Sequence, residues 1–183
     1  MRLALLMRIA LLIAISLFLS SASVAQNRSV YTSLDAKQCR TIKSANADED
    51  DMVQKCRGTA GYTLIVSEGD LRQNIIVVTP RGVEHSLELW SVVSGGFSTV
   101  GPKAEWRLNR QNGKLLPVAL IIRYNTSEDA EHPDKNISYL AVAKITPAEI
   151  CITDKISPSP NANNDARTSA DTAATKPCLN KKN

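Results

Sequence analysis

The stretch Ala104-Glu-Trp-Arg-Leu-Asn-Arg-Gln-Asn-Gly-Lys-Leu-Leu-Pro-Val-Ala-Leu-Ile-Ile-Arg-Tyr124 decides the fold class. Two apolar-rich runs, Ala104 to Arg110 and Leu115 to Tyr124, flank Gln111-Asn112-Gly113-Lys114. Asn-Gly is the residue pair that a tight hairpin prefers, because both of its central positions need a positive φ. Working outward, the same grammar repeats. Gly61 to Val66 reads as a strand ended by Ser67-Glu68-Gly69-Asp70, and Leu71 to Val78 stops at Thr79-Pro80-Arg81-Gly82. Val83 to Val93 fits either a strand or a short helix. Ile137 to Ile145 and Glu149 to Ile156 flank Thr146-Pro147-Ala148 as a second strand pair. The expectation is a mainly β (α+β) domain: a single antiparallel sheet, or a small sandwich or barrel, of six to seven strands with a short C-terminal helix. With 183 residues, 43% hydrophobic and 4% aromatic, the chain can bury one largely aliphatic core.

The two ends read differently. Arg2 and Arg8 precede an apolar run from Ile9 to Leu19, followed by Ser20-Ser21-Ala22-Ser23-Val24-Ala25. A basic start, a short apolar stretch and a small-x-small site make residues 1–25 an expected signal peptide, with Gln26 the mature terminus. As a helix the apolar run rises only about 16 Å against a hydrocarbon layer of roughly 30 Å, so stable membrane insertion is not expected after cleavage. Residues 26–156 then form the β domain, and 157–183 a polar C-terminal segment. In that segment Asn161 or Asn163 caps a short helix towards Ala174, which Lys176-Pro177 ends. Having no Leu, Ile, Val or Phe before Leu179, it has little to bury. Asp35 to Val53, with its acidic run Asp48-Glu49-Asp50-Asp51, reads as a covered loop or irregular hairpin.

Export sets the reading of the cysteines. Cys39, Cys56, Cys151 and Cys178 form an even set in a chain expected to be periplasmic or secreted, where bridges are the default. Loop-closure cost favours Cys39–Cys56 and Cys151–Cys178 over the other two pairings. The second bridge would tie down the polar tail. No C-x-x-C spacing or neighbouring histidine suggests a metal, and no cofactor is expected.

The net charge of +4 comes from the ends. The leader holds two arginines, and the tail carries Arg167, Lys176, Lys181 and Lys182 against Asp165 and Asp171, which leaves the body neutral. Dispersed, interleaved charge argues against nucleic acid, whose phosphates call for a basic face.

Catalytic motifs are equally absent. Gly96 to Lys103 fails as a phosphate loop because Pro102 removes an N–H and displaces the lysine. Asn46-x-Asp48-x-Asp50 fails as a calcium loop, with Asp51 where glycine is needed and Arg57 where glutamate is needed. Glu84-His85 and Glu131-His132 pair acid with base only in sequence, since adjacent strand residues face opposite sides. Ser91 to Pro102 reads as a mobile crossing loop.

One cluster remains. Glu68, Asp70 and Arg72, then Glu105, Trp106 and Arg107, then Arg123 and Tyr124, bring charges and rings to strand ends. As a candidate ligand-binding patch these arginines beside an aromatic ring suit acidic or sugar ligands. The structural alternative makes Trp106 and Leu108 core, with Glu105 and Arg107 on the other face pairing across the sheet with Arg123 or Asp70.

Val30-Tyr31-Thr32-Ser33-Leu34-Asp35, the cysteine pairs, Glu68 to Arg72, Gly101 to Arg107 and Arg123-Tyr124 together give a chain that resembles a family of small exported proteins of Gram-negative bacteria with two cysteine pairs. The likeness covers most of 29–178. It implies periplasmic or secreted location and two bridges, and no activity. The expected function is therefore that of an exported, non-enzymatic binding or interaction protein of the cell envelope, with a protein, glycan or small molecule as partner. The alternatives are a small envelope hydrolase using carboxylates such as Glu68 and Asp70, or a secreted enzyme inhibitor projecting loop 91–102.

Overall fold

The structure is a computed structural model and describes residues 27–42, 52–129, 131–132 and 134–179. The expected signal peptide and the acidic run 48–51 lie outside the described residues. Ten strands form one sheet: β1 Arg28–Ser33, β2 Arg40–Thr41, β3 Met52–Arg57, β4 Thr63–Gly69, β5 Arg72–Val78, β6 Glu84–Ser86, β7 Phe97–Gln111, β8 Lys114–Ser127, β9 Asn136–Ile145 and β10 Ile150–Ile156. That corrects the expected six to seven. The extra strands are short or polar (β1, β2, β3 and β6), and their composition hides them from a search for apolar runs. Two α-helices, α1 Leu89–Val92 and α2 Ala162–Asp171, and two short 3-10 turns, Ala36–Gln38 and Ala173–Thr175, complete the described residues.

The quoted stretch forms the long β7–β8 hairpin. Asn112 (φ 48°) and Gly113 (φ 79°) make the turn, with Gln111 opposite Lys114. The sheet is antiparallel apart from one parallel bridge, Arg72 opposite Ser98, which joins β5 to β7. On one side of this seam lie β2 to β6, and on the other β1 and β7 to β10. The sheet folds back across the seam, so that β10 comes near β6 and β1 near β3. Both parts then share one core: Leu64, Val66, Ile75 and Val77 meet Trp106, Leu120, Ile122 and Ile152. Alternation does this, because every second residue of each strand must face inward. Trp106 is fully buried, as the strand pattern predicts. Its indole N–H donates to the Thr32 hydroxyl at 2.9 Å, and its ring lies 5.9 Å from that of Tyr62.

The expected mobile loop from Ser91 to Pro102 is corrected. Ser91 and Val92 belong to α1, and Phe97 onward is strand. Gly96 permits the switch: a Cβ there would lie 2.0 Å from the Ser127 carbonyl oxygen, so only glycine brings the chain this close to the end of β8.

The tail buries more than its composition promises. Ala162, Ala166, Ala170 and Ala173 form a stripe at helical spacing and pack on Ala119, Ile121, Leu140 and Val142, the outward residues of β8 and β9. Small residues on both sides allow close approach of helix and sheet. Asn161 is the residue before the helix, but its side chain makes no capping bond. Both expected bridges form, Cys39–Cys56 and Cys151–Cys178. Such pairs fit an oxidising compartment. Among the described residues no helix is long and apolar enough to cross a membrane.

Candidate functional site

The eight candidate residues separate into three places. Trp106 and Tyr124 lie in the core, both fully buried, and burial raises the Tyr124 pKa even though its hydroxyl shares a 2.5 Å hydrogen bond with Ser98.

Glu105 and Arg107 face the opposite side of β7, as alternation predicts, but their expected partners are corrected. Neither reaches Arg123 or Asp70; both reach α2. Arg107 donates from Nε and Nη2 to the two carboxylate oxygens of Asp171, each at 2.8 Å, and from Nη1 to Ser29 at 2.6 Å. Arg167 donates from Nε to Glu105 at 2.7 Å and from Nη2 to the Tyr31 hydroxyl at 3.0 Å. An acid and a base two apart on a strand thus meet a base and an acid four apart on a helix, charge against opposite charge. Burial alone would raise the pKa of Glu105, but hydrogen bonds from Arg167 and Ser29 outweigh it and hold it below the usual range. The same balance, set by Arg107 and Asn27, lowers Asp171. Arg123 donates to Ser138 at 2.8 Å and to Asn163 at 3.3 Å, so it too faces the helix. These residues clamp α2 to the sheet.

The third place is a cleft of about 690 Å³ on the outer face of β4 and β5. Register builds its floor. Ser67 lies opposite Asn74 and Gly69 opposite Arg72, two successive cross-strand pairs on the face away from the core. Trp90 and Ser91, from α1, form the wall, with Gly95 at the far end. Leu89, Val92 and Val93 of this turn are buried, which leaves Trp90 on the other side, 47% exposed. Asn74 fixes the wall to the floor: its Oδ1 accepts from the Leu89 N–H at 3.1 Å, and its Nδ2 donates to Ser86 at 2.8 Å.

Asp70 and Arg72 are the charged groups lining the cleft, and they form an ion pair. Arg72 Nε donates to the Gly95 carbonyl at 3.0 Å, and the guanidinium lies 5.4 Å from the centre of the half-exposed Phe97 ring. Glu68 turns away, to the inner face of β4, and accepts from Gln73 at 2.6 Å. The turn itself departs from the sequence reading. Asp70 (φ 49°) and Leu71 (φ 57°) make it between Gly69 and Arg72, two residues later than Ser67 to Asp70 suggests. A non-glycine residue held left-handed costs roughly 1–2 kcal/mol. The Leu71 carbonyl accepts from the Ser98 N–H at 2.9 Å, which helps to hold it. Glu88, at the entry to α1, is also left-handed (φ 53°). Asp70 and Leu71 take their angles as the two central residues of the β4–β5 hairpin, and Asp70 is the one that lines the cleft.

Sequence reasoning found Asp70 and Arg72 but missed Trp90, Ser67 and Asn74. The pattern of Leu89, Trp90, Val92 and Val93 carries the signal: a one-turn helix burying the other three must present the tryptophan outward. Comparison with known protein families, with curated proteins and with solved structures finds no match.

Proposed function

We propose that the protein is an exported, non-enzymatic binding protein of the bacterial cell envelope, of the small two-bridge kind that its sequence resembles, and that the cleft beneath Trp90 holds its ligand. The observation that carries this reading is the composition of the cleft: an exposed indole over a floor of hydrogen-bonding groups, in a volume of about 690 Å³. Small-ligand sites fall in the range of about 300–1,000 Å³ and combine apolar walls with a few placed polar groups. The two bridges support residence in an oxidising compartment.

The hydrolase alternative gains nothing from the geometry. It needs two converging carboxylates, whereas Asp70 is engaged by Arg72 and Glu68 faces the other side of the strand. The inhibitor alternative needs a projecting 91–102 loop, and 97–102 is strand.

The test uses the mature protein, immobilised and exposed to envelope extract. Retention of a component by the native chain, lost in Trp90→Ala, is the expected result. No retained component at any salt, or equal retention by Trp90→Ala, would overturn the assignment to this cleft.

A further inference from the structure

We propose that the cleft binds a neutral saccharide, with the Trp90 ring lying against the C–H face of one sugar and the Asp70–Arg72 pair engaging two neighbouring hydroxyls. This inference rests on the preceding reading and deepens it.

The charge of the site selects against ionic ligands. Among the described residues the two charged groups lining it, Asp70 and Arg72, are of opposite sign and paired with each other, so together they offer no net charge to an anion or a cation. The floor selects against purely apolar ligands. The Ser67 hydroxyl and the outer N–H groups of Arg72 would lose water on burial and regain no hydrogen bond, which costs more than the apolar contact returns.

The topology selects against an extended peptide read by its backbone. β4 is paired on both sides, by β3 and β5, and β5 by β4 on one side and β6 and β7 on the other. On that second side only Gln73 to Ile75 of β5 lie outside a ladder, a gap too short for an added strand.

What remains is a ligand with an apolar face and many neutral hydroxyls. The unused hydrogen-bonding groups match it. One oxygen of Asp70 is taken by Arg72 Nη1, while Oδ1 makes no bond to the described residues and the side chain is 82% exposed. On Arg72, Nε is held by Gly95, Nη1 by Asp70, and Nη2 makes no bond to the described residues. An acceptor and a donor thus lie side by side on two planar groups. A vicinal diol complements this pair: one hydroxyl donates to the carboxylate while its neighbour accepts from the guanidinium. The Ser67 hydroxyl, also without a partner among the described residues, adds a third polar contact on the floor. The arginine is already immobilised against Phe97 and Gly95, so ligand binding has little side-chain entropy to remove.

The chain has two tryptophans, and Trp106 is fully buried, so a fluorescence change on titration reports on Trp90. The mature protein is titrated with neutral trisaccharides of glucose, mannose, galactose and N-acetylglucosamine, up to about 10 mM, the weak end of measurable affinity. A saturable shift with at least one of them is expected. Followed by titration calorimetry, which does not depend on the indole that two of these variants remove, Trp90→Ala and Asp70→Ala should each weaken that binding roughly tenfold or more, and Trp90→Phe by less than about threefold, because the phenyl ring keeps the flat face. No saturable response across the panel overturns the saccharide assignment, as does binding that Trp90→Ala and Asp70→Ala leave unchanged. If envelope material is retained through Trp90 while every saccharide fails, the ligand class falls and the binding reading stands. If nothing is retained and no saccharide binds, both fall.

Discussion

Replacing Asp171 by alanine should destabilise the fold more than replacing the arginine it holds. Arg107 is 6% exposed, and its guanidinium spends two N–H donors on Asp171 and one on Ser29. Asp171→Ala removes the acid and leaves the buried cation with one hydroxyl. Breaking a fully buried pair this way costs about 3–5 kcal/mol. The Asp171 side chain is 33% exposed, so water can enter the vacated space and lower that figure. We expect about 2–3 kcal/mol, which for a domain of this size is a fall of roughly 5–10 °C in Tm. Arg107→Met leaves Asp171 at the surface, where water replaces the arginine, and the methionine stem can stay packed on the sheet. Its cost should be about 1 kcal/mol, and the double variant should be less destabilised than the two single costs together. The assay is urea unfolding followed by tryptophan fluorescence with both bridges intact, backed by hydrogen exchange across α2. A loss below about 0.5 kcal/mol for Asp171→Ala, or a larger loss for Arg107→Met, would refute the idea that a buried cation depends on this acid.

Other perturbations test different parts of the fold. Trp106→Ala should cost about 3–5 kcal/mol in the same urea assay, since the ring is fully buried and hydrogen-bonded; less than about 1 kcal/mol would place the ring outside the core. Gly96→Ala sets a methyl group against the Ser127 carbonyl and should open the start of β7, read as faster proteolysis near residues 93–100, while an unchanged cleavage pattern would contradict the close approach. Acid should loosen the α2 face: Glu105, Asp171 and Asp154, which accepts from Lys176 beside Ser169 of α2, all have pKa values lowered on folding, so their contribution is complete above the ordinary values of 4.5 and 3.8 and disappears as pH falls through the folded ones. Glu105→Gln should therefore flatten the stability curve below about pH 4, and an unchanged acid limb would exclude this group as a cause. Losing the Cys151–Cys178 bridge, which closes 27 residues, should cost roughly 3 kcal/mol by denaturation of Cys151→Ala/Cys178→Ala, and a loss below about 1 kcal/mol would show that the clamp alone holds the tail.

What could be read from the sequence follows from how much of each signal is local. Asn112-Gly113 carries its own turn geometry, and the apolar alternation of β4, β5, β7, β8 and β9 carries its own direction, so the hairpins and the burial of Trp106 were legible. β1 was not, because Arg28 to Ser33 has Val30 and Tyr31 as its only large apolar residues and gains its place by pairing with β7 far along the chain. The alanine stripe of α2 failed a test based on large aliphatics, although four alanines at helical spacing bury well when the facing sheet positions are small. The partners of Glu105 and Arg107 were misjudged for a related reason: cross-strand pairing is the local choice, and a helix some 60 residues onward is not a local signal. Of the cleft, the Asp70 and Arg72 part was visible as charges at a strand end. Trp90 was hidden inside a run whose one helical turn is anchored from elsewhere in the chain, by Asn74 on another strand, which accepts the Leu89 N–H.

The two outer faces of the folded sheet explain where a ligand can enter. On β8 and β9 the outward positions are Ala119, Ile121, Leu140 and Val142, an apolar surface that water penalises, and α2 covers it. The helix is short and its apolar stripe is made of methyl groups, so packing alone returns little per residue. The charge clamp and the Cys151–Cys178 bridge supply what the alanines lack. On β4 and β5 the outward pairs nearest the turn are Ser67 with Asn74 and Gly69 with Arg72, which water satisfies without a cover. Only one turn of helix crosses there, anchored by Leu89, Val92 and Val93 and carrying an indole that faces outward. A tryptophan kept half exposed above a polar floor leaves part of its indole in water, a cost that further burial would remove. A bound molecule that covers the ring and replaces the water on the floor would remove that cost, which makes Trp90 the residue whose substitution should least affect folding and most affect binding.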